Sequence, residues 1–264
     1  MKFGKLLLPL YGVLALIYLM VPIAYTIMFS FNDSKRTNII WNGFTFNNWL
    51  NVCDAQGVCQ AFANSIIIAT VSTIVATVLG TAIAIALVRY KFKGRAATTL
   101  LLFLPMATPE VVLGAGLAAQ FLNAGMPKGM LTVILAHIMF CISFVVVTVR
   151  ARVAGLDPKL EEAGRDLYAN PSQVWWKVTF PLLLPGIVAG ALLAFALSFD
   201  DFIITNFNRG PVDTLPSFIY TAASRGIPAE ANVLASAVFL LAIAGVVTAQ
   251  VGGAIRRKKL GITP

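Results

Sequence analysis

Charged residues are scarce in this chain. Asp, Glu, Lys and Arg make up 12% of its 264 residues, while hydrophobic residues make up 58%. A soluble globular domain has about 25% charged residues. The shortage of charge, together with a mean hydropathy of +0.83, excludes an ordinary soluble domain and predicts an all-α protein that crosses a membrane several times.

Residue types that carry catalysis or bind metals are scarce as well. The chain has one histidine, His137, and three cysteines, and their spacing is not that of a metal site. It also has no G-x-x-x-x-G-K-[ST] segment, the glycine-rich loop that binds nucleotide phosphates. We therefore expect no enzyme activity, no catalytic residue and no cofactor or metal in this chain, so any energy from ATP must come from another chain.

The three cysteines fall into two groups. Cys53 and Cys59 share one loop outside the membrane, whereas Cys141 lies in an apolar segment and is interpreted as a small core residue. If the loop faces an oxidising compartment, Cys53 and Cys59 can form a short disulfide. Two free thiols are an equal alternative.

Six apolar segments are long enough to cross a bilayer, which needs about 20 residues as a helix. They form one predicted domain, 1–264, with spans at about 6–31, 61–88, 96–122, 130–149, 180–207 and 231–255. The third segment is interrupted by Pro105 and Pro109, and the fifth continues past Asp200 and Asp201. A polar loop, 156–179, separates the fourth and fifth spans.

The distribution of basic residues predicts the orientation. With six spans, both termini lie on one side, and that side carries 15 of the 20 Lys and Arg residues. Cytoplasmic loops of membrane proteins have such an excess. The termini, the basic tract 89–95 and the loop 156–179 are therefore predicted to be cytoplasmic. The same rule accounts for the net charge of +9 without a nucleic-acid partner.

The loop 156–179 contains two helix-start signals. Asp157 followed by Pro158 predicts an N-cap and a first helical residue. Asn170 followed by Pro171, with Gln173 at the third helical position, predicts a second helix with a capping box. We expect two short helices joined by a tight turn, and a hairpin of this kind between two spans indicates contact with a cytoplasmic partner.

The spacing within this loop resembles the EAA loop of bacterial ABC-importer permeases. Glu162, Ala163 and Gly164 match its E-A-A, and Ala169, Val178 and Pro181 follow at the family's spacing. The resemblance implies a coupling helix, including Glu161, that docks on an ATPase subunit. Tyr168 occupies the family's glycine position, so either this tyrosine adopts a left-handed conformation or the turn moves to the next residues.

Three carboxylates are predicted at membrane depth. Glu110 lies roughly 21 Å along the third span and Asp201 roughly 30 Å along the fifth, at 1.5 Å per residue. Acidic residues are costly in the bilayer and usually face the bundle interior or a wet cavity. Glu110, Asp200 and Asp201 can line a cation pathway. Alternatively, Asp200 can cap a break in the helix, one of the two aspartates can reach outer water, and Glu110 can cap a half-helix after Pro109. His137 is interpreted as a hydrogen-bonded packing residue.

Longer stretches support a narrower resemblance. RYKFKGR, FLPMATPEVVLG, HIMFCISFVVVTVRARVAGLDPKLEEAGRDL and LSFDDFIITNF look like segments of the spermidine/putrescine permeases of the PotC kind. The resemblance implies a MetI-like six-helix fold in the bacterial inner membrane, with Glu110, Asp200 and Asp201 as translocation residues. It also implies a second homologous permease, an ATPase dimer that binds ATP and Mg, and an extracytoplasmic polyamine-binding protein.

Two alternatives remain open at this point. The same type of importer can carry another small cation or solute, such as thiamine or ferric ion. A secondary transporter can use the acidic residues as a proton or sodium relay, but it has no need of a capped cytoplasmic hairpin. Inverted repeats typical of that class are not evident in the sequence.

Overall fold

The chain is predominantly helical in the described residues of the computed structural model, which are 3–34, 38–224 and 226–259. No strand occurs among them apart from one isolated bridge between Asn32 and Phe44. The predicted all-α fold is confirmed. The helices are α1 (Phe3–Phe29), α2 (Asn47–Leu50), α3 (Val58–Arg89), α4 (Arg95–Ala107), α5 (Glu110–Asn123), α6 (Met130–Ala154), α7 (Lys159–Asp166), α8 (Pro171–Val174), α9 (Phe180–Asp200), α10 (Ile203–Asn208), α11 (Leu215–Ala223) and α12 (Ala229–Lys259).

Five helical segments are long and apolar enough to cross a membrane, and a sixth is possible as a bent pair. The five are Leu8–Phe29, Val58–Arg89, Met130–Ala154, Pro171–Asp200 and Ala229–Ala254. The bent pair is α4 with α5, whose axes differ by 112°.

The prediction of orientation counts the Lys and Arg residues on each side of the membrane. Four of these residues lie outside the described part of the chain: Lys2, Lys35, Arg36 and Arg225.

The third predicted span is broken at a proline. Thr108 has an extended backbone, with φ −82° and ψ 134°, and Pro109 continues it with ψ 132°. A residue before proline is kept out of the helical region by the proline ring, so α4 ends at Ala107 and α5 starts at Glu110. The segment 96–122 is thus two helices at a sharp angle, not one continuous span.

The fifth span differs from its predicted bounds at both ends. Helical structure already starts at Pro171, because α8 runs into α9 through a single π-helical turn, Trp175–Thr179. The span ends at Asp200, because Asp201 has an extended conformation with ψ 123°. Residues 203–208 form the separate short helix α10. The prediction of one helix over 180–207 missed this second break.

The chain divides into two compact units, of which the larger is Gln60–Ser217. In this unit α6 is central and packs against α4, α9 and α10. Its buried core includes Leu87, Phe140, Val145, Val149 and Leu183. Helix α3 approaches α6 closely at Gly80, where an added Cβ would lie 2.7 Å from Val145 Cγ1. The larger unit contains all the predicted pathway and coupling residues.

The smaller unit comprises the described parts of Met1–Cys59 and Phe218–Pro264. Here α1 and α2 pack against α12. The loop after α1 is fixed by Asn32, whose side-chain amide donates to Asn38 Oδ1 and to the Ile40 carbonyl, each at 2.7 Å. A disulfide joins Cys53 to Cys59, with 5.3 Å between their Cα atoms.

Candidate functional site

Glu110 is the first residue of α5, directly after the break at Pro109. Its side chain is exposed on the isolated chain. The first turn of a helix favours a carboxylate because the N-terminal N–H groups and the helix dipole carry partial positive charge. The proline break therefore both creates a helix start within the third apolar segment and places an acidic group there.

Asp201 is a buried carboxylate, with a side chain only 5% exposed. Its Oδ2 accepts a hydrogen bond from the Thr205 N–H at 2.8 Å, and its Oδ1 accepts one from the Ile204 N–H at 3.3 Å. These N–H groups belong to the first turn of α10, where no helical carbonyl can pair with them. Asp201 therefore caps α10, whereas the capping role considered from the sequence is assigned to its neighbour Asp200.

His137 in α6 completes the surroundings of Asp201. Its Nε2 atom lies 3.3 Å from Asp201 Oδ2 and 2.9 Å from Thr205 Oγ1. Its Nδ1 atom lies 2.7 Å from Ser198 Oγ in α9. The ring is only 1% exposed, so it joins α6, α9 and α10 in the buried interior of the chain. The sequence predicts His137 to be a hydrogen-bonded packing residue, but it does not predict which residues it contacts.

Asp200 differs from its neighbour, because its side chain is exposed. It is the last residue of α9, and the chain turns away at Asp201. The two adjacent carboxylates, which the sequence does not distinguish, therefore have different surroundings. Asp201 is enclosed and hydrogen-bonded, whereas Asp200 remains accessible.

Helix α5, which begins with Glu110, packs against α10, which follows Asp201. Asn208 at the end of α10 donates from Nδ2 to the Gly114 carbonyl of α5 at 3.2 Å. A Cβ at Gly114 would lie 3.1 Å from the Ile204 Cα atom, so a larger residue there would push the two helices apart by a few tenths of an ångström. In addition, Thr132 of α6 donates to the Asn208 carbonyl at 2.8 Å. Helices α5, α6 and α10 thus pack together next to the break after α9.

The loop between α6 and α9 has the two helix starts that the sequence predicts. Asp157 Oδ1 accepts a hydrogen bond from the Lys159 N–H at 3.0 Å. Asn170 and Gln173 form a reciprocal capping box, with hydrogen bonds of 2.9 and 3.0 Å. Both caps satisfy N–H groups at a helix start. The second helix is the first part of the continuous helical segment Pro171–Asp200, however, and not an independent short helix.

Tyr168 adopts the left-handed conformation after α7. Among the described residues it is the one non-glycine residue with positive φ, at 59°. The Tyr168 N–H donates to the Arg165 carbonyl and the Ala169 N–H donates to the Gly164 carbonyl. These two bonds form a Schellman motif, which normally has glycine at the left-handed position. The Tyr168 side chain is 98% exposed, so no packing contact within this chain compensates for the strained backbone of this residue.

Glu161 attaches α7 to the ends of two membrane helices. It forms an ion pair with Arg89 at the end of α3 and accepts a hydrogen bond from the Thr179 hydroxyl at the start of α9. Burial, the largest influence, raises the pKa of the Glu161 carboxyl. The hydrogen bonds from Arg89 and Thr179 and the charges of Arg89 and Arg165 outweigh it, so the pKa lies below its ordinary value. Sequence reasoning included Glu161 in the loop but not these contacts.

The other residues of the EAA-like segment lie on two faces of α7. Gly164 faces the second helix, because a Cβ there would lie 3.4 Å from Val174 and 3.7 Å from Val178. Glu162 and Ala163 are exposed. Of the two remaining predicted positions, Ala169 lies in the turn and Pro181 lies in the first turn of α9. One face of α7 therefore packs on the α8–α9 junction, and the face with Glu162 is open.

Comparison with known sequences identifies the family. Residues 76–259 match the family described as binding-protein-dependent transport system inner membrane component. The chain is 36% identical over 234 residues to the spermidine/putrescine transport system permease protein PotC of Haemophilus influenzae, with 88% of this chain and 91% of that protein covered. It is 34% identical over 238 residues to the putrescine transport system permease protein PotI of Escherichia coli, with coverage of 87% and 84%.

Solved structures have the same fold. A chain of a bacterial ABC transporter involved in the import of the acidic polysaccharide alginate superposes with a TM-score of 0.68 at 18% identity, covering 93% of this chain and 95% of that one. A chain of the MetNI methionine ABC transporter gives a TM-score of 0.57 at 18% identity, covering 78% and 96%. The chain belongs to the inner membrane components of binding-protein-dependent transport systems, the MetI-like permeases of ABC importers.

Proposed function

We propose that this chain is the polyamine-conducting permease subunit of an ATP-driven importer. The observation that carries this proposal is the 36% identity, over 88% of the chain, to relatives named as spermidine/putrescine permeases. The cargo of those relatives is a polycation, and the acidic residues of this chain suit such a cargo. The proposal therefore rests on relatedness and on charge together.

The accessible carboxylates are the groups we assign to cargo passage. Glu110 and Asp200 are both exposed, and the regions packed around them are joined through Gly114 and Asn208. No Lys or Arg lies within 96–122 or 180–207 to neutralise them. Carboxylates replace lost hydration of ammonium groups through charge-assisted hydrogen bonds. An anionic cargo would meet only repulsion at these positions.

We assign Asp201 a supporting role in the pathway. Its oxygens accept hydrogen bonds from α10, and His137 lies beside it. In this arrangement Asp201 and His137 fix the break after α9, and the break holds Asp200 accessible. Direct contact of Asp201 with a polyamine requires an opening of this cluster during transport.

Coupling to ATP is assigned to the loop 156–179 on the cytoplasmic side. The exposed Glu162 and Ala163 face of α7 is the contact for an ATPase subunit, and Glu161 passes movement to α3 and α9. ATP and Mg bind to that partner. The complete importer contains a second homologous permease, an ATPase dimer and an extracytoplasmic polyamine-binding protein, with both termini of this chain in the cytoplasm.

Uptake of radiolabelled spermidine and putrescine tests the cargo. Cells that lack their own polyamine uptake receive the complete transporter, with and without this chain. We expect uptake that depends on the chain and is blocked by unlabelled polyamine but not by thiamine or ferric ion. Uptake of thiamine or ferric ion in place of polyamine would contradict the cargo assignment and leave the family assignment intact.

A further inference from the structure

Two adjoining cavities lie between α3 and the junction of α8 with α9. The first has a volume of about 390 Å³ and is apolar, with Val78, Ala82, Phe180 and Ile187 in its wall. The second has a volume of about 220 Å³ and is lined by Arg89, Tyr90, Glu161, Arg165 and Thr179. Ile85 and Trp175 belong to both walls. An apolar cavity and a polar cavity thus share a boundary.

The two cavities lie at different depths along α3. Val78 is 11 residues before Arg89 in the sequence, which corresponds to roughly 16 Å along a helix. Arg89 is the last residue of that membrane-spanning helix. The apolar cavity is therefore at the depth of lipid acyl chains, and the polar cavity is at the depth of lipid headgroups. Trp175 and Tyr90 near the boundary suit the interfacial zone, where such aromatic residues are enriched.

The polar cavity carries one net positive charge. Arg89 and Arg165 contribute two positive charges, and Glu161 contributes one negative charge. Arg89 is ion-paired with Glu161, whereas Arg165 influences that carboxylate only through its charge. A singly charged phosphate group would balance the cavity and give Arg165 a hydrogen-bond acceptor. Basic pockets between membrane helices at the cytoplasmic surface have the chemistry for such headgroups.

We propose that the paired cavities bind one anionic phospholipid of the cytoplasmic leaflet. The phosphate lies against Arg165 and Arg89, and an acyl chain lies along Val78, Ala82 and Ile187. The lipid contacts α3, α7 and α9, the same three helices that Glu161 joins. This role goes beyond cargo passage and makes the attachment of the coupling helix sensitive to lipid composition.

Native mass spectrometry of the assembled transporter measures the bound lipid directly. The complex is exchanged into micelles doped with phosphatidylglycerol or with phosphatidylcholine and then washed. We expect one tightly retained phosphatidylglycerol per copy of this chain and no equivalent retention of phosphatidylcholine. Arg165→Gln removes the headgroup contact and Ala82→Phe fills the acyl cavity, so each lowers retention by one molecule per chain. The control is Lys91→Gln, which removes a charge from the basic tract 89–95 at a residue outside the cavity walls. We expect this variant to retain the lipid.

Several outcomes would overturn the proposal. Equal loss in Lys91→Gln and Arg165→Gln would indicate diffuse attraction to a basic surface. Loss in Arg165→Gln with full retention in Ala82→Phe would indicate that only the headgroup is held and that no acyl chain occupies the apolar cavity. Crosslinking of Ala82→Cys to the partner permease would show a protein in the apolar cavity. The lipid count does not depend on which cargo is carried, so failure of the polyamine assignment would leave this result unchanged.

Discussion

The Nε2 atom of His137 lies 3.3 Å from Oδ2 of Asp201, in a cluster with side chains that are 1% and 5% exposed. A buried carboxylate is strongly unfavourable unless hydrogen bonds and a nearby partner compensate for the lost water. Here the compensation comes from α6 and from the first turn of α10. Of the two adjacent aspartates, Asp201 is therefore enclosed and hydrogen-bonded, whereas Asp200 is accessible.

Replacement of these two aspartates should separate stability from transport. Asp201→Ala leaves the N–H groups of Ile204 and Thr205 without their acceptor and removes the carboxylate beside the His137 ring, so we expect a loss of about 1–3 kcal/mol in the free energy of unfolding. Asp200→Ala removes an exposed group and should leave thermal unfolding unchanged. Asp201→Asn retains a side-chain oxygen for the cap and should recover part of the stability. An unchanged Tm in Asp201→Ala would contradict this account.

Loss of the Glu161 carboxylate should loosen the coupling helix. In Glu161→Gln the ion pair with Arg89 is gone and the hydrogen bond from Thr179 is weakened. We expect normal amounts of assembled transporter but ATP hydrolysis that is less strictly linked to uptake. The control is Asp54→Asn, which neutralises an exposed carboxylate outside the loop 156–179. Equal ATP consumption per transported molecule in Glu161→Gln and the unmodified chain would rule out this role.

The pH dependence of the same interaction has a definite sign. Because the folded-state pKa of Glu161 lies below its ordinary value of 4.5, the interaction contributes stability fully above about that pH. The contribution is lost as the pH falls through the lowered folded-state pKa. The difference in Tm between the unmodified chain and Glu161→Gln should therefore be present at neutral pH and shrink in acid. A difference that grows on acidification would have the wrong sign.

Tyr168→Gly tests the strain in the turn after α7. A left-handed conformation costs an L-residue about 1 kcal/mol or more, and glycine adopts it without that cost. Because the Tyr168 ring is almost fully exposed, its removal sacrifices no packing within the chain. We expect a higher Tm for Tyr168→Gly, while Tyr168→Ala keeps the strained backbone and should not gain stability. A lower Tm for the glycine variant would show that the ring supports the loop.

Charge reversal at Glu162 tests the open face of α7. Glu162→Lys changes an exposed residue that faces away from Val174 and Val178, so the membrane helices should remain folded. We expect the ATPase subunit to be lost from the purified complex, or its hydrolysis to become independent of cargo. Lys159→Glu at the start of the same helix is a comparison for charge reversal alone. Normal recovery of the complex together with normal uptake would refute docking through this face.

Local features of this fold could be predicted from the sequence because neighbouring residues determine them. The capping box of Asn170 and Gln173 and the left-handed option for Tyr168 are of this kind. The break at Pro109 follows from steric exclusion, although its 112° angle depends on how α5 packs against α10. The sequence showed an interruption at this point but not the direction of the chain after it.

Contacts between distant residues could not be predicted in the same way. His137 and Asp201 are 64 positions apart, and Arg89 and Glu161 are 72 apart. Nothing local to either residue specifies its partner, because helix packing brings them together. His137, Asp200 and Asp201 can be found from the sequence, because they are among the few polar residues within apolar spans. Their roles depend on how deeply each is buried, which only the structure shows. The roles of Glu110 and Asp200 in cargo passage remain predictions.

The most direct test of the cation pathway is the concentration dependence of spermidine uptake in Glu110→Gln and Asp200→Asn. Both variants change exposed side chains to neutral ones of similar size, and the amount of assembled transporter serves as the control. We predict that each variant assembles normally and takes up spermidine at less than a tenth of the normal rate, a difference of about 1.4 kcal/mol or more in the transport barrier. Normal uptake by both variants, at normal levels of complex, would contradict an acidic cation pathway through this chain.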